Sequence, residues 1–295
     1  MKTKKYANPT SFRRALEDRL GEFAKKEGIG IQKLRRQVAF DRLLARLFQK
    51  KSAALPWALK GGYAMELRVK SARATKDIDL AVRDAKLLSS NSNVQNQAIR
   101  NLLQEHSKTD LGDFFVYEIG DPMMDLDAAP YGGGRFSVEA LMDERTFVKF
   151  HLDVGVGDVW MEPLESIQTH DWLSFAAIEP ISVLAISKEQ QFAEKIHAYT
   201  LPRGDRQNSR VKDLVDMVLL IQSPSLNDIR LSEAIQATFR RRRTHEYPTR
   251  LLPPPVEWRP SFAKLAAECG LGEDIEKAFL EVQSYVEKIK KTDQR

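Results

Sequence analysis

The feature that most constrains this chain is a glycine pair, Gly61-Gly62, followed after fourteen residues by Asp77-Ile78-Asp79-Leu80. The alternation from Asp77 to Val82 predicts a strand. On a strand, residues i and i+2 share a face about 6.6 Å apart, so both carboxylates project together while Ile78 and Leu80 enter the core. Two such carboxylates repel and need a cation. A hard ion such as Mg²⁺ suits them, because it takes oxygen ligands and completes its octahedron with water and substrate phosphates. Glycines ahead of a helix-like stretch let backbone N–H groups approach a phosphate where a Cβ would obstruct it.

A third acid sits in a segment of the same kind. In Phe147 to Val154 the alternation places Phe147, Lys149, His151 and Asp153 on one face and Val148, Phe150, Leu152 and Val154 on the other. Asp153 is thus a candidate third metal ligand beside the Asp77 strand, the alternative being an aspartate at a strand end before Gly155; His151 reads as a bystander. Three carboxylates around two metal ions suit in-line phosphoryl transfer. Further on, Lys195 borders the apolar stripe of Phe192, Ile196 and Tyr199, where a lysine needs either anionic phosphate oxygens or a route for its ammonium to water. Arg210 and Asp213 share a ridge at i and i+3, as cleft residues or as a helix-start ion pair, and Lys212 points away from Leu214.

Around these residues the chain predicts helices, then strands, then helices. A helix starting after Pro9, capped by Thr10 or Ser11, runs to Gly28; a second buries Val38, Leu43, Leu44, Leu47 and Phe48. Strands are expected at 113–119, 135–142 and 146–154, with Tyr131 to Gly134 as a turn. Ser187 and Gln190 are spaced as a capping box, and helices follow over 210–222 and 228–242. Pro253 to Pro255 leads to a helical tail with Ile275, Phe279, Val282, Val286 and Ile289 on one side. This gives a basic helical region over 1–56, a mixed α/β core over 57–186 and a helical region over 187–295.

Charge and composition narrow the function classes. Residues 1 to 51 hold fifteen Lys or Arg against five Asp or Glu, and Arg240 to Arg243 form a second basic run; such runs suit a phosphate backbone or are solvated helix faces. The single cysteine, Cys269, excludes an intramolecular disulfide, and the five histidines do not fall at zinc-ligand spacing. No stretch matches a membrane span or a signal peptide, so a cytoplasmic protein is expected.

The ordered motifs resemble the AbiEii group of nucleotidyltransferase toxins of bacterial type IV toxin–antitoxin and phage-defence systems. They are Leu59-Lys60-Gly61-Gly62 with Ala64 and Leu67; Arg73-x-Thr75-x-Asp77-Ile78-Asp79-Leu80; Leu152-Asp153-Val154-Gly155-x-Gly157-Asp158; Ala193-Glu194-Lys195-Ile196-His197-Ala198; and Arg210-x-Lys212-Asp213-Leu214-x-Asp216. The resemblance implies an α+β fold with a polymerase-β-like core. It implies transfer of a nucleoside monophosphate from a nucleoside triphosphate, with Mg²⁺, or Mn²⁺, at Asp77 and Asp79, to which the strand pattern adds Asp153 as a candidate third ligand. It also implies a phosphate-binding turn at Gly61 and Gly62, a triphosphate contact at Lys195 and an essential acid at Asp213; Lys60, Arg210 and Lys212 are further candidates for nucleotide binding. The acceptor would be RNA, such as a tRNA 3′ end, with a DNA-binding antitoxin as partner. A protein or small-molecule acceptor, or nucleotide binding without catalysis, are the competing readings. Tyr63 departs from the small hydroxyl residue that follows the glycines in relatives, which questions side-chain help in phosphate binding.

Overall fold

The structure, a computed structural model, describes residues 6–49, 56–83, 87–126, 129–204, 208–223 and 226–293. Lys2, Lys4, Lys5, Lys50 and Lys51 of the basic region lie outside them. Helix α1 (Pro9–Glu27) is capped by Asn8, two or three residues before the expected Thr10 or Ser11, because the Asn8 side chain accepts the Ser11 N–H, and it ends at Gly28 with φ 65°. Helix α2 (Ile31–Leu47) buries the expected apolar residues, and charged ones with them: Asp41, Arg42 and Arg46 are all inside. Asp113 makes that burial tolerable by accepting from Arg42 Nε and Arg46 Nη2, each at 2.6 Å. Arg13 donates to the carbonyls of Met142, Arg145 and Thr146. Part of the basic N-terminal charge, Arg42 and Arg46, is therefore internal, while Arg14, Arg19, Lys25 and Lys26 of α1 are exposed.

The sheet has seven strands: β1 (Trp57–Lys60), β2 (Asp77–Val82), β3 (Val116–Asp125), β4 (Gly133–Met142), β5 (Arg145–Val156), β6 (Glu165–Gln168) and β7 (Ser182–Ala185). Their spatial order is β3-β4-β5-β2-β1-β7-β6. It is mixed: β2 runs parallel to β5 and β1 parallel to β7, while β1–β2, β3–β4 and β4–β5 are antiparallel. Helix α3 (Gly61–Arg68) leaves β1 directly, and α4 (Ser92–Ser107) packs on β3 and β4. Of the expected turn at Tyr131 to Gly134, Gly133 and Gly134 open β4 instead. A Cβ on Gly133 would lie 2.1 Å from the Val154 carbonyl oxygen, so the glycine lets β4 close onto β5. One core joins α1 and α2 to the sheet, running from Phe12 and Val38 to Leu59, Ile78 and Leu152.

The contacts divide the chain into two compact units. The first takes the residues up to Leu67 with Ala74–Gly157 and Ser166–Ala185; the second takes Arg68–Arg73, Asp158–Glu165 and Ile186 onward. In the second, α5 (Lys188–Thr200) packs on α6 (Val211–Gln222) and α7 (Asp228–Arg242), followed by α8 (Arg259–Glu268) and α9 (Ile275–Asp293). Half of the expected capping box forms: Ser187 accepts the Gln190 N–H, but the Gln190 side chain donates to Thr238 instead of returning. The tail stripe from Ile275 to Ile289 is buried as expected.

Candidate active site

Asp77 and Asp79 leave β2 on its polar face while Ile78 and Leu80 are fully buried. Gly61, with φ 66°, opens α3 against this pair, and a Cβ there would stand 2.0 Å from Asp79 Oδ2. The Gly62 N–H bonds the Asp79 carboxylate. The glycine pair therefore seats a carboxylate, a more specific task than leaving room for phosphate. Desolvation, and after it the charge of Asp153, pushes the Asp79 carboxyl up to about 6, against the pull of Lys60 and the Gly62 N–H.

Cross-strand register brings in the third acid, Asp153, directly beside Asp79. Both its oxygens are taken: Arg135 of β4 donates through Nε to Oδ1 and through Nη2 to Oδ2, each at 2.7 Å. The same Nη2 lies 3.9 Å from Asp77 Oδ2, and His151 Nδ1 lies 3.5 Å from Asp77 Oδ1. The bond to Asp153 raises the Arg135 pKa further still. Among the described residues no three acid, His or Cys side chains stand in metal-holding geometry. Asp77 and Asp79 offer oxygen donors of the kind a hard divalent ion takes, whereas Asp153 is engaged by a guanidinium. Arg135 escaped the sequence reading, since only the register shows that it faces Asp153.

Lys195, Asp213 and Arg210 come together within the second unit. Lys195 is buried, and its ammonium donates to Asp216 Oδ2 at 2.6 Å and Asp213 Oδ1 at 3.2 Å, so neither a phosphate nor a route to water is needed to satisfy it. Arg73 forks onto Asp216 through Nε and Nη2 at 3.1 and 2.9 Å. Burial alone would raise the Asp216 pKa, but Lys195 and Arg73 more than offset it and hold the carboxyl below its ordinary value. Arg210 Nη1 stands 3.6 Å from Asp213 Oδ2, the expected helix-start pair, and Lys212 is exposed. Sequence reasoning included Asp216 in its motif but gave it no role. Its signal was an acid set among Leu214, Val215, Met217 and Val218, all buried.

A mixed sheet carrying a strand-borne aspartate pair next to a glycine turn, in a chain whose remaining elements are helical, is the arrangement expected of a nucleotidyltransferase. The family of the nucleotidyl transferase AbiEii toxin, of type IV toxin–antitoxin systems, matches residues 42–284, and the chain belongs to it. Among solved structures it is similar to MenT4, a nucleotidyltransferase toxin of Mycobacterium tuberculosis H37Rv, at 12% identity with a TM-score of 0.54 over 92% of this chain and 98% of that one. It also matches JHP933 of Helicobacter pylori at 15% identity and a TM-score of 0.44, covering 88% and 93% of the two chains. No match was found among curated proteins. The family makes the protein an enzyme that takes a nucleoside triphosphate and has a cognate antitoxin. No helix among the described residues is long and apolar enough to cross a membrane.

Proposed function

We propose that the toxin moves a nucleoside monophosphate from a nucleoside triphosphate to an RNA acceptor, at the 3′ end of tRNA, with Mg²⁺, or Mn²⁺ in its place, held by Asp77 and Asp79. The observation that carries this is the shared face of the two carboxylates, with Asp79 seated by Gly61 and Gly62. An acceptor hydroxyl oxygen bonds to the α-phosphorus as its proton passes to water, the bond to the α,β-bridging oxygen breaks, and pyrophosphate leaves. The cation would supply charge stabilisation at the phosphates. Asp77 and Asp79 fix its position, Lys60 lies beside Asp79 in register, and His151 lies on Asp77. Lys195 is assigned to offset triphosphate charge, with Asp213 holding its ammonium. Arg210 and Lys212 remain proposed nucleotide contacts.

RNA is favoured as acceptor by the exposed Arg14, Lys25 and Lys26 of α1 and by Arg240 and Arg243 at the end of α7. Arg242, of the same run, is instead bonded to Asp158 at 2.9 Å. The deciding experiment incubates the protein with each α-³²P nucleoside triphosphate and total tRNA. Label should enter tRNA, and Asp77→Ala or Asp79→Ala should lower the rate at least about a thousandfold, the loss of several kcal/mol of transition-state stabilisation. Label in protein or a small molecule would replace the acceptor; label nowhere would remove the transfer reading.

A further inference from the structure

One register row crosses four strands of the sheet. Arg135 on β4 faces Asp153 on β5, Asp153 faces Asp79 on β2, and Asp79 faces Lys60 on β1. Asp77 stands two residues along β2, within 3.9 Å of Arg135. Three carboxylates thus share a patch with two fixed cations, which leaves one formal negative charge. A single divalent ion reverses that sign; a second would load positive charge onto a site already holding a guanidinium.

Arg135 is also shaped to hold its place. A guanidinium fork matches a carboxylate through two parallel bonds, and both contacts here are at 2.7 Å, in the range of strong charge-assisted bonds. The Arg135 and Asp153 side chains are 32% and 14% exposed, so the pair is partly shielded from solvent competition. A cation arriving at Asp153 must displace the fork or share at least one of its oxygens with it.

We propose that Arg135 is a resident counter-cation that keeps Asp153 out of metal coordination, so that the site takes one divalent ion at Asp77 and Asp79 while the fork is closed and a second only when the fork opens. Asp153 is then a positioning residue for Arg135. The proposal rests on the metal-binding reading of Asp77 and Asp79, and its test keeps the two apart.

The probe is Mn²⁺ alone, titrated by calorimetry and by electron paramagnetic resonance, with folding checked by circular dichroism. The wild type should bind one Mn²⁺. Arg135→Gln should bind two, the first at least tenfold more tightly than in the wild type, with the spectral broadening of ions about 4 Å apart. Arg135→Gln combined with Asp153→Asn should return to one. Arg135→Met, of similar length, serves if the glutamine variant fails to fold. A single Mn²⁺ of unchanged affinity in the Arg135 variants, or two coupled ions already in the wild type, would overturn the proposal. Asp77→Asn is the control: if it leaves Mn²⁺ binding unweakened, the metal-binding reading itself fails.

Discussion

A methyl group at position 61 would meet Asp79 Oδ2 at 2.0 Å, and the residue carrying it would have to hold φ 66°. Gly61→Ala should therefore act twice. Left-handed strain and the displaced carboxylate should cost about 1–3 kcal/mol of stability, read by thermal melting. The same displacement should lower transfer at least about a hundredfold, because the metal-binding geometry is lost. Full activity in this variant would mean that Asp79 need not sit where the glycine puts it. Tyr63 resolves differently from its suggestive place after the glycines. Its ring is fully buried and packs edge-on against Phe40, and its hydroxyl donates to Asp41 at 2.5 Å. It points into the core, away from any role at a phosphate turn. Tyr63→Phe should cost about 1–3 kcal/mol by stripping a buried carboxylate of a donor, with turnover kept within about threefold.

At the scale of the element, α6 carries two acids with different work. Asp216 is completely buried between Arg73 and Lys195, while Asp213 is 14% exposed and shares Lys195 with it. Asp216→Ala leaves two buried cations without their shared anion and should destabilise by about 3–5 kcal/mol. Asp213→Asn keeps the Asp216 bonds, so its stability loss should stay near 1 kcal/mol. Urea denaturation of both variants checks the order, and equal losses would refute the division. The sequence displayed α6 well, through its apolar stripe, and it displayed β2 and β5 through their alternation. It hid α4, whose buried face mixes Ile99 and Leu103 with Gln95 and Asn96, and it hid β6 and β7, which at four residues each are too short to show a period. The Asp77–Asp79 pair was legible because strand geometry alone aligns i and i+2. The Arg135–Asp153 and Arg73–Asp216 forks were not, because long-range register and packing decide them.

Over the whole molecule, the charge that looked like surface is partly interior, and two histidines give the two units opposite responses to acid. In the first unit, His170 lies 3.1 Å from the buried Asp41; burial opposes its protonation, but Asp41 prevails and holds its pKa above the usual value. That stabilisation is present below about pH 6.5 and is lost as the pH rises through the raised value. In the second unit, His197 packs on Phe239 and His245, and desolvation, then Arg242 and His245, push it down to about 3. Staying neutral while the unfolded chain takes up a proton, it leaves the second unit fully stable only above about pH 6.5. Below that, stability falls by up to about 1.4 kcal/mol per pH unit. Between pH 7 and 5, hydrogen exchange corrected for its intrinsic pH dependence should show α5 and α7 losing protection while α2 does not. His197→Phe, which keeps a ring against Phe239 but has no proton to take up, should reduce the loss in α5 and α7, and adding His245→Phe, whose imidazole desolvation likewise holds below its usual pKa, should flatten it. A wild-type slope that persists in the double variant would show that the acid sensitivity of the second unit lies elsewhere.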